Sequence, residues 1–283
     1  MLPFSAFEHR SYHPSHLIQG SLLLHGFILL LFLLSPEQWA LFALILGANH
    51  LLLTALGLWP KSHWLGPNLV RVRQSAKHEV FLTFDDGPDP EVTPWVLDLL
   101  DRHDMKATFF LVGDRVLQYP EIAREIAIRG HGIGNHSMHH RTGFAFQSVR
   151  GFKAELEAAQ KAIEWVTGVR PVYFRAPFGF RSPLLEPALC EIGLWLVAWT
   201  RRGFDTRCRN AGRVLQRLVN SLGPGDILLL HDGRSGPRTI HPPIVLEVLP
   251  KLLQVLEDRH MQSRALDLKH RGVFQSKTSE AGE

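Results

Sequence analysis

Val80-Phe81-Leu82-Thr83-Phe84-Asp85-Asp86-Gly87-Pro88 decides how this chain is read. An apolar run ends on two adjacent carboxylates, and a Gly-Pro turn follows at once. A buried strand of this kind sets negative charge at the mouth of a sheet, where α/β and barrel folds assemble their chemistry. Two bare carboxylates side by side repel, and a cation relieves the repulsion. His136-Ser137-Met138-His139-His140 offers two imidazoles four positions apart, the spacing of one face of a helix or helical turn. One Asp with two His makes a three-ligand site with open positions, the donor set of a hydrolytic metal rather than a structural one. Each motif also has a plain reading. Paired acids before Gly-Pro commonly form a capped turn, and 16 His residues allow a chance His-x-x-x-His pair.

The order of the later motifs separates these readings. Arg175-Ala176-Pro177-Phe178-Gly179 comes next, then Trp199 with Asp205, then Leu228-Leu229-Leu230-His231-Asp232. This ordered set resembles the NodB-homology polysaccharide deacetylases, carbohydrate esterase family four, over residues 78–268. The resemblance implies an α/β fold, a distorted (β/α)7-type barrel. It assigns Asp86, His136 and His140 to the metal and Asp85 to the general base, with Arg175 keeping Asp85 ionised and aimed. The backbone N–H of Phe178 is implied at the oxyanion, and His231 as the general acid with Asp205 as its carboxylate partner. Leu229 is implied to line the pocket for the acyl methyl, and Pro177 and Trp199 to contact substrate.

The fourth motif departs from the family pattern. In Trp199-Thr200-Arg201-Arg202-Gly203-Phe204-Asp205-Thr206, Arg202 stands in an Asp slot and Thr206 in place of a Trp. Phe204 is the candidate to replace that aromatic wall. An added Arg suits a substrate that carries a phosphate, such as a lipid-linked sugar. His139 and His131 read as solvated.

These residues fit one reaction. Hydrolysing an N-acetyl amide takes an activated water, a stabilised oxyanion and a proton for the leaving nitrogen. Zn2+ is the expected ion, because two imidazoles and a carboxylate suit it. The expected activity is a hydrolase removing an N-acyl group from an amino sugar in a polysaccharide or lipid-linked glycan. O-acetyl ester cleavage on sugars is an alternative. A non-catalytic carbohydrate- or lipid-binding module is another, against which the full set Asp85, Asp86, His136, His140 and His231 stands. An aspartate-nucleophile phosphatase needs Asp-x-Asp, and here the acids are adjacent.

Composition bounds the rest. The 283 residues are 45% hydrophobic, enough for a sizeable core, with a net charge of +4. Basic residues do not cluster, which excludes nucleic acid as a partner. Two cysteines, Cys190 and Cys208, make no disulfide framework. The N-terminus is a different material: residues 17–34 and 39–58 carry no Asp, Glu, Lys or Arg. A signal peptide leaves the second run unexplained, and a soluble hairpin needs a polar face that neither run has. A transmembrane hairpin in contact with lipid explains both. The organisation is then a polar segment 1–16, two membrane helices over 17–58, a linker 59–77, a deacetylase domain 78–268 and a disordered tail 269–283.

Arg10 precedes the helices, and Lys61, Arg71, Arg73 and Lys77 follow them, whereas the turn holds no Lys or Arg. The positive-inside rule puts both flanks, and the catalytic domain, on the cytoplasmic side of the inner membrane. Within the domain the pattern predicts strands over 79–84, 107–112, 131–135, 173–175, 194–199 and 227–230. Helices are predicted over 93–102, 119–129 and 151–166.

Overall fold

The computed structural model describes residues 10–73, 75–233 and 243–267. The tail 269–283 and residues 1–9 lie outside that range. Two apolar helices, α1 (His16–Leu34) and α2 (Trp39–Leu58), are joined by a 3-10 turn at Pro36–Gln38. Ser15 caps α1 by accepting from the Ile18 N–H. The helices face each other through Asn49, which donates to Ser21 Oγ at 2.9 Å, and through an edge contact of the His25 and His50 rings.

The remainder alternates strand and helix. The strands are β1 (Glu79–Asp85), β2 (Ala107–Leu111), β3 (Gly132–Asn135), β4 (Tyr173–Phe174), β5 (Trp195–Leu196), β6 (Arg201–Arg202), β7 (Ile227–His231) and β8 (Gln262–Ser263). The helices are α3 (Thr93–Arg102), α4 (Gly113–Gln118), α5 (Pro120–Ile128), α6 (Val149–Thr167), α7 (Leu185–Ile192), α8 (Ala211–Val219) and α9 (Val245–Asp258). One parallel sheet runs β5-β4-β3-β2-β1-β7-β6, with β8 paired to the start of β1. The two ends of that order belong to one extended run, 195–202, so the sheet curls until it meets itself.

The gap at that seam is filled by chain expected as a linker. Leu69 exchanges backbone hydrogen bonds with Leu196 and Ala198, and the Val72 N–H bonds to Gly225. Leu69 and Val72 are buried, so this part of 59–77 belongs to the barrel. Their apolar side chains sit among Arg, Asn and Gly, which hides the strand character.

Alternation along the strands sorts the core into layers. Val80, Leu82 and Phe84 pack outward against helices, with Phe109 and Leu228 beside them. Phe81, Phe110, Ile227 and Leu229 point into the barrel. By the same period Thr83 and Asp85 point inward. α6 lays Phe152, Leu156, Ala159, Ile163 and Val166 on the core, starts at a Ser148 cap and stops at left-handed Gly168.

Phe109 is fully buried and stacks on Phe84 at 5.1 Å. Phe109→Ala is expected to destabilise the barrel by about 3–5 kcal/mol. Urea unfolding in detergent, followed by tryptophan fluorescence, measures this. A loss below about 1 kcal/mol would show that this ring does not hold the outer core.

Candidate active site

The C-terminal ends of the parallel strands converge on one mouth. β1 delivers Asp85, and the chain then turns through Asp86 at φ 74°. That left-handed residue breaks the alternation, so both carboxylates face one centre. Asp85 Oδ2 lies 3.9 Å and Asp86 Oδ1 3.3 Å from His136 Nε2. Asp86 Oδ1 is also 3.2 Å from His140 Nε2.

The two imidazoles are not on a helix. His136 follows β3, and residues 136–140 form a loop in which Ser137 and His140 take positive φ. A side-chain clamp fixes this loop. Asn135 Oδ1 accepts from the Ser137 N–H, its Nδ2 donates to Gln160, and Ser137 Oγ accepts from the His140 N–H. Sequence reasoning missed Asn135, Ser137 and Gln160; the position of Asn135 at the end of β3, just before the histidines, was the available signal. The His136 Nδ1–H donates to the Arg175 carbonyl at 2.8 Å, which leaves Nε2 free to ligate.

Asp86, His136 and His140 present ligand atoms that all lie within 4.8 Å of one another. Asp86 Oδ1 is buried with no hydrogen-bond partner. Burial alone would raise the Asp86 pKa, but His136, His231 and His140 together hold it well below the usual carboxylate range. A buried, ionised, unpaired oxygen between two imidazoles fits a divalent cation.

Arg175 is fully buried and donates from Nη1 to Asp85 Oδ1 at 2.6 Å and to Thr83 Oγ1 at 2.8 Å. Its Nη2 donates to the Ala198 carbonyl, and the guanidinium lies 4.1 Å from the Phe110 ring centre. Across the mouth, Asp205 grips His231 twice. Oδ1 meets Nδ1 at 2.9 Å, and Oδ2 accepts the His231 backbone N–H at 2.8 Å. Burial works against the imidazolium, but Asp205, aided by Asp86 and Asp85, holds the His231 pKa up at about 9.

The remaining predicted residues surround this centre. Phe178 takes φ 59° in the Pro177–Gly179 turn, and its ring lies 4.9 Å from that of His140. Pro177 and Leu229 are buried, Leu229 on the inward face of β7. Trp199 lies beneath Arg202, whose guanidinium is 5.2 Å from its ring centre and 4.9 Å from that of Phe204. His139 turns away to Asp114 at 2.9 Å. His131 is buried rather than solvated: Nδ1 accepts the Ala107 N–H, the ring packs on Phe109, and burial pulls its pKa down to about 4. Asp232 also points elsewhere, accepting from Thr93 Oγ1 at 2.6 Å behind Gly87.

Residues 73–197 match the polysaccharide deacetylase family. The chain is 36% identical over 166 residues to a chitooligosaccharide deacetylase of Azorhizobium caulinodans, covering 58% of this chain and 77% of that protein. It is 36% identical over 170 residues to a peptidoglycan-N-acetylglucosamine deacetylase of Listeria monocytogenes, covering 59% of this chain but only 36% of that protein. The crystal structure of the Bc1960 peptidoglycan N-acetylglucosamine deacetylase superposes with a TM-score of 0.65 at 28% identity, over 74% of this chain and 92% of that one. The chain belongs to the polysaccharide deacetylases, carbohydrate esterase family four, and its curled parallel sheet is the NodB-like fold. It is an enzyme of that class, a hydrolase of linear amides.

The Asp205 contact makes a pH prediction. Asp205→Asn removes the charge that raises the His231 pKa, so His231 loses its proton at lower pH. The alkaline limb of kcat/KM should move to lower pH while the acid limb stays. A profile with an unmoved alkaline limb would remove His231 from the proton-donating role.

Proposed function

We propose that this protein is a metal-dependent N-deacetylase that removes an acyl group, acetyl first of all, from an amino sugar in a glycan held at the membrane surface. The observation that carries this reading is the shared mouth. Three ligand atoms and a held carboxylate, Asp85, lie on one side, and a protonated imidazole, His231, lies on the other. The chitooligosaccharide and peptidoglycan-N-acetylglucosamine deacetylases that the chain resembles support an N-acetyl amino sugar as substrate.

Asp86, His136 and His140 would hold the metal, and two imidazoles with one carboxylate favour Zn2+. When bound, such an ion lowers the pKa of water toward neutrality and polarises the acyl carbonyl. Asp85 takes a proton from the attacking water as its oxygen bonds to the carbonyl carbon, and Arg175 keeps Asp85 ionised and aimed. The Phe178 N–H receives the developing oxyanion. His231 gives its proton to the nitrogen as the C–N bond breaks, so amide and water become acetate and amine. Leu229, Pro177 and Trp199 shape the pocket around the acyl group and the sugar.

The hairpin anchors this machinery to the cytoplasmic membrane. α1 and α2 have 19 and 20 residues, each about 30 Å long at 1.5 Å per residue, the thickness of a bilayer core. Large side chains such as Leu23, Leu33, Leu44 and Leu51 are exposed along them, as lipid contact requires. Ser15 Oγ donates to the Trp64 carbonyl at 2.7 Å, so the chain enters and leaves the hairpin at one level. The charge bias of the flanks supports a cytoplasmic level, where a lipid-linked amino sugar would be within reach.

Two measurements test the chemistry. His136→Ala/His140→Ala should lose the bound ion by elemental analysis as well as acetate release; full occupancy would remove the ligand assignment. Asp85→Asn should keep the ion and lose roughly 10²–10⁴ in turnover, and near-normal rates would place the base elsewhere. The topology has its own test. An alkaline phosphatase fusion at Lys77 should be inactive, and strong activity there would put the domain outside.

A further inference from the structure

A cleft of about 680 Å3 lies between the foot of α2 and the barrel mouth, and the cations that line it take no part in the deacetylation chemistry. Lys61, Arg201, Arg202, Arg207 and Arg217 line it, and among the described residues no carboxylate does. Some of these cations are engaged. Arg201 pairs with Asp226 at 3.1 Å, Lys61 donates to the Thr200 carbonyl at 2.7 Å, and Arg217 donates to the Gly203 carbonyl at 3.3 Å. Two are open. The Arg207 guanidinium has no hydrogen bond or ion pair among the described residues, and the buried Nε of Arg202 has no hydrogen-bond partner. Burial and the charge of Arg201 both pull the Lys61 pKa down, as expected in a pocket with surplus positive charge.

The cleft joins two surfaces. Phe178, whose ring lies 4.9 Å from that of His140, and Arg202, whose charge is drawn toward Asp205, Asp85 and Asp86, connect the cleft to the catalytic mouth. At its other end Leu58 and Trp59 continue into the apolar hairpin. A ligand filling it therefore meets cations, the apolar foot of α2 and the edge of the catalytic mouth. Guanidinium forks recognise phosphate through paired charge-assisted hydrogen bonds.

We propose that this cleft is a phosphate subsite. It takes the phosphate ester joining an amino sugar to a polyprenyl-type lipid, with Arg202 and Arg207 on the phosphate and the lipid leaving along Trp59 toward α2. The inference rests on the deacetylase reading and specifies which substrate that site receives.

The full-length protein in detergent micelles is tested with three probes: polyprenyl-phosphate-linked N-acetylglucosamine, soluble N-acetylglucosamine 1-phosphate, and neutral chitotetraose. Tryptophan fluorescence gives affinity, and amine release gives turnover. The lipid-linked probe should bind most tightly and the neutral one least. Arg207→Ala and Arg207→Glu should weaken both phosphate probes roughly tenfold or more relative to the neutral one. Arg207 is exposed, so the folded state should persist, with an unchanged thermal melt. Arg202→Lys should retain more phosphate affinity than Arg202→Ala. Equal affinity for phosphate and neutral probes, or an indifferent Arg207→Glu, overturns the subsite. Equal affinity for the lipid-linked and soluble phosphates overturns the lipid source. Release of amine from chitotetraose with no phosphate preference sinks this inference and leaves the deacetylase reading standing. Arg207-dependent phosphate binding without amine release from any probe does the reverse.

Discussion

The buried pair between Arg175 and Asp85 is the constraint on which the rest of the site depends. A guanidinium with no solvent exposure is costly unless its donors are matched. Here Nη1 serves Asp85 and Thr83 of β1, Nη2 serves Ala198, and Nε serves Val197. One side chain thus ties β1 to the run 195–202 that closes the barrel. Its own carbonyl takes the His136 Nδ1–H and so fixes which nitrogen faces the metal position. The aim of Asp85, the tautomer of His136 and the closure of the sheet all pass through one residue. Removing the Arg would leave Asp85 buried beside Asp86 without its guanidinium partner, so fold and site both depend on this pair.

The hairpin is bound to this barrel at the side where the chemistry happens. The last turn of α2 touches the loop after β4. A Cβ at Gly57 would collide with the Arg181 carbonyl, and the Arg181 N–H donates to the Gly57 carbonyl. On the other strand of the connection, Arg10 donates to Glu186 and to the Leu194 carbonyl and lies 3.8 Å from the Trp195 ring centre. Both flanks are therefore built into the domain rather than tethered to it. A hairpin held through both flanks keeps a fixed position relative to the mouth.

Much of this was legible in the sequence where one physical rule acted alone. The apolar run from Val80 to Phe84 gave the strand and set Asp85 and Asp86 at its end. The period of α6 gave its buried stripe from Phe152 to Val166. Where rules compete, reading failed. His136 and His140 have helical spacing, yet they sit in a loop whose positive φ values depend on the Asn135–Ser137 clamp, a tertiary arrangement. Leu69 and Val72 lie in a stretch rich in turn-forming residues, and their strand-like pairing exists only because β5 and β7 leave a gap. His131 reads as solvated because histidine is only intermediate in its preference for burial, but packing on Phe109 places it inside.

The altered fourth motif shows how one exchange can be tolerated. The family pattern carries two acids in this motif, and this chain keeps one, Asp205. Asp205 compensates by using both oxygens on the same residue, one on the His231 ring and one on its backbone N–H. That double grip fixes the imidazole with a single carboxylate, whatever stands in the other slot. Arg202 fills it and stacks between Trp199 and Phe204, where its charge opposes burial but is drawn toward Asp205 and Asp85. A cation placed there cannot share the His231 proton. It lines the cleft beside the site instead, between Trp199 and Phe204.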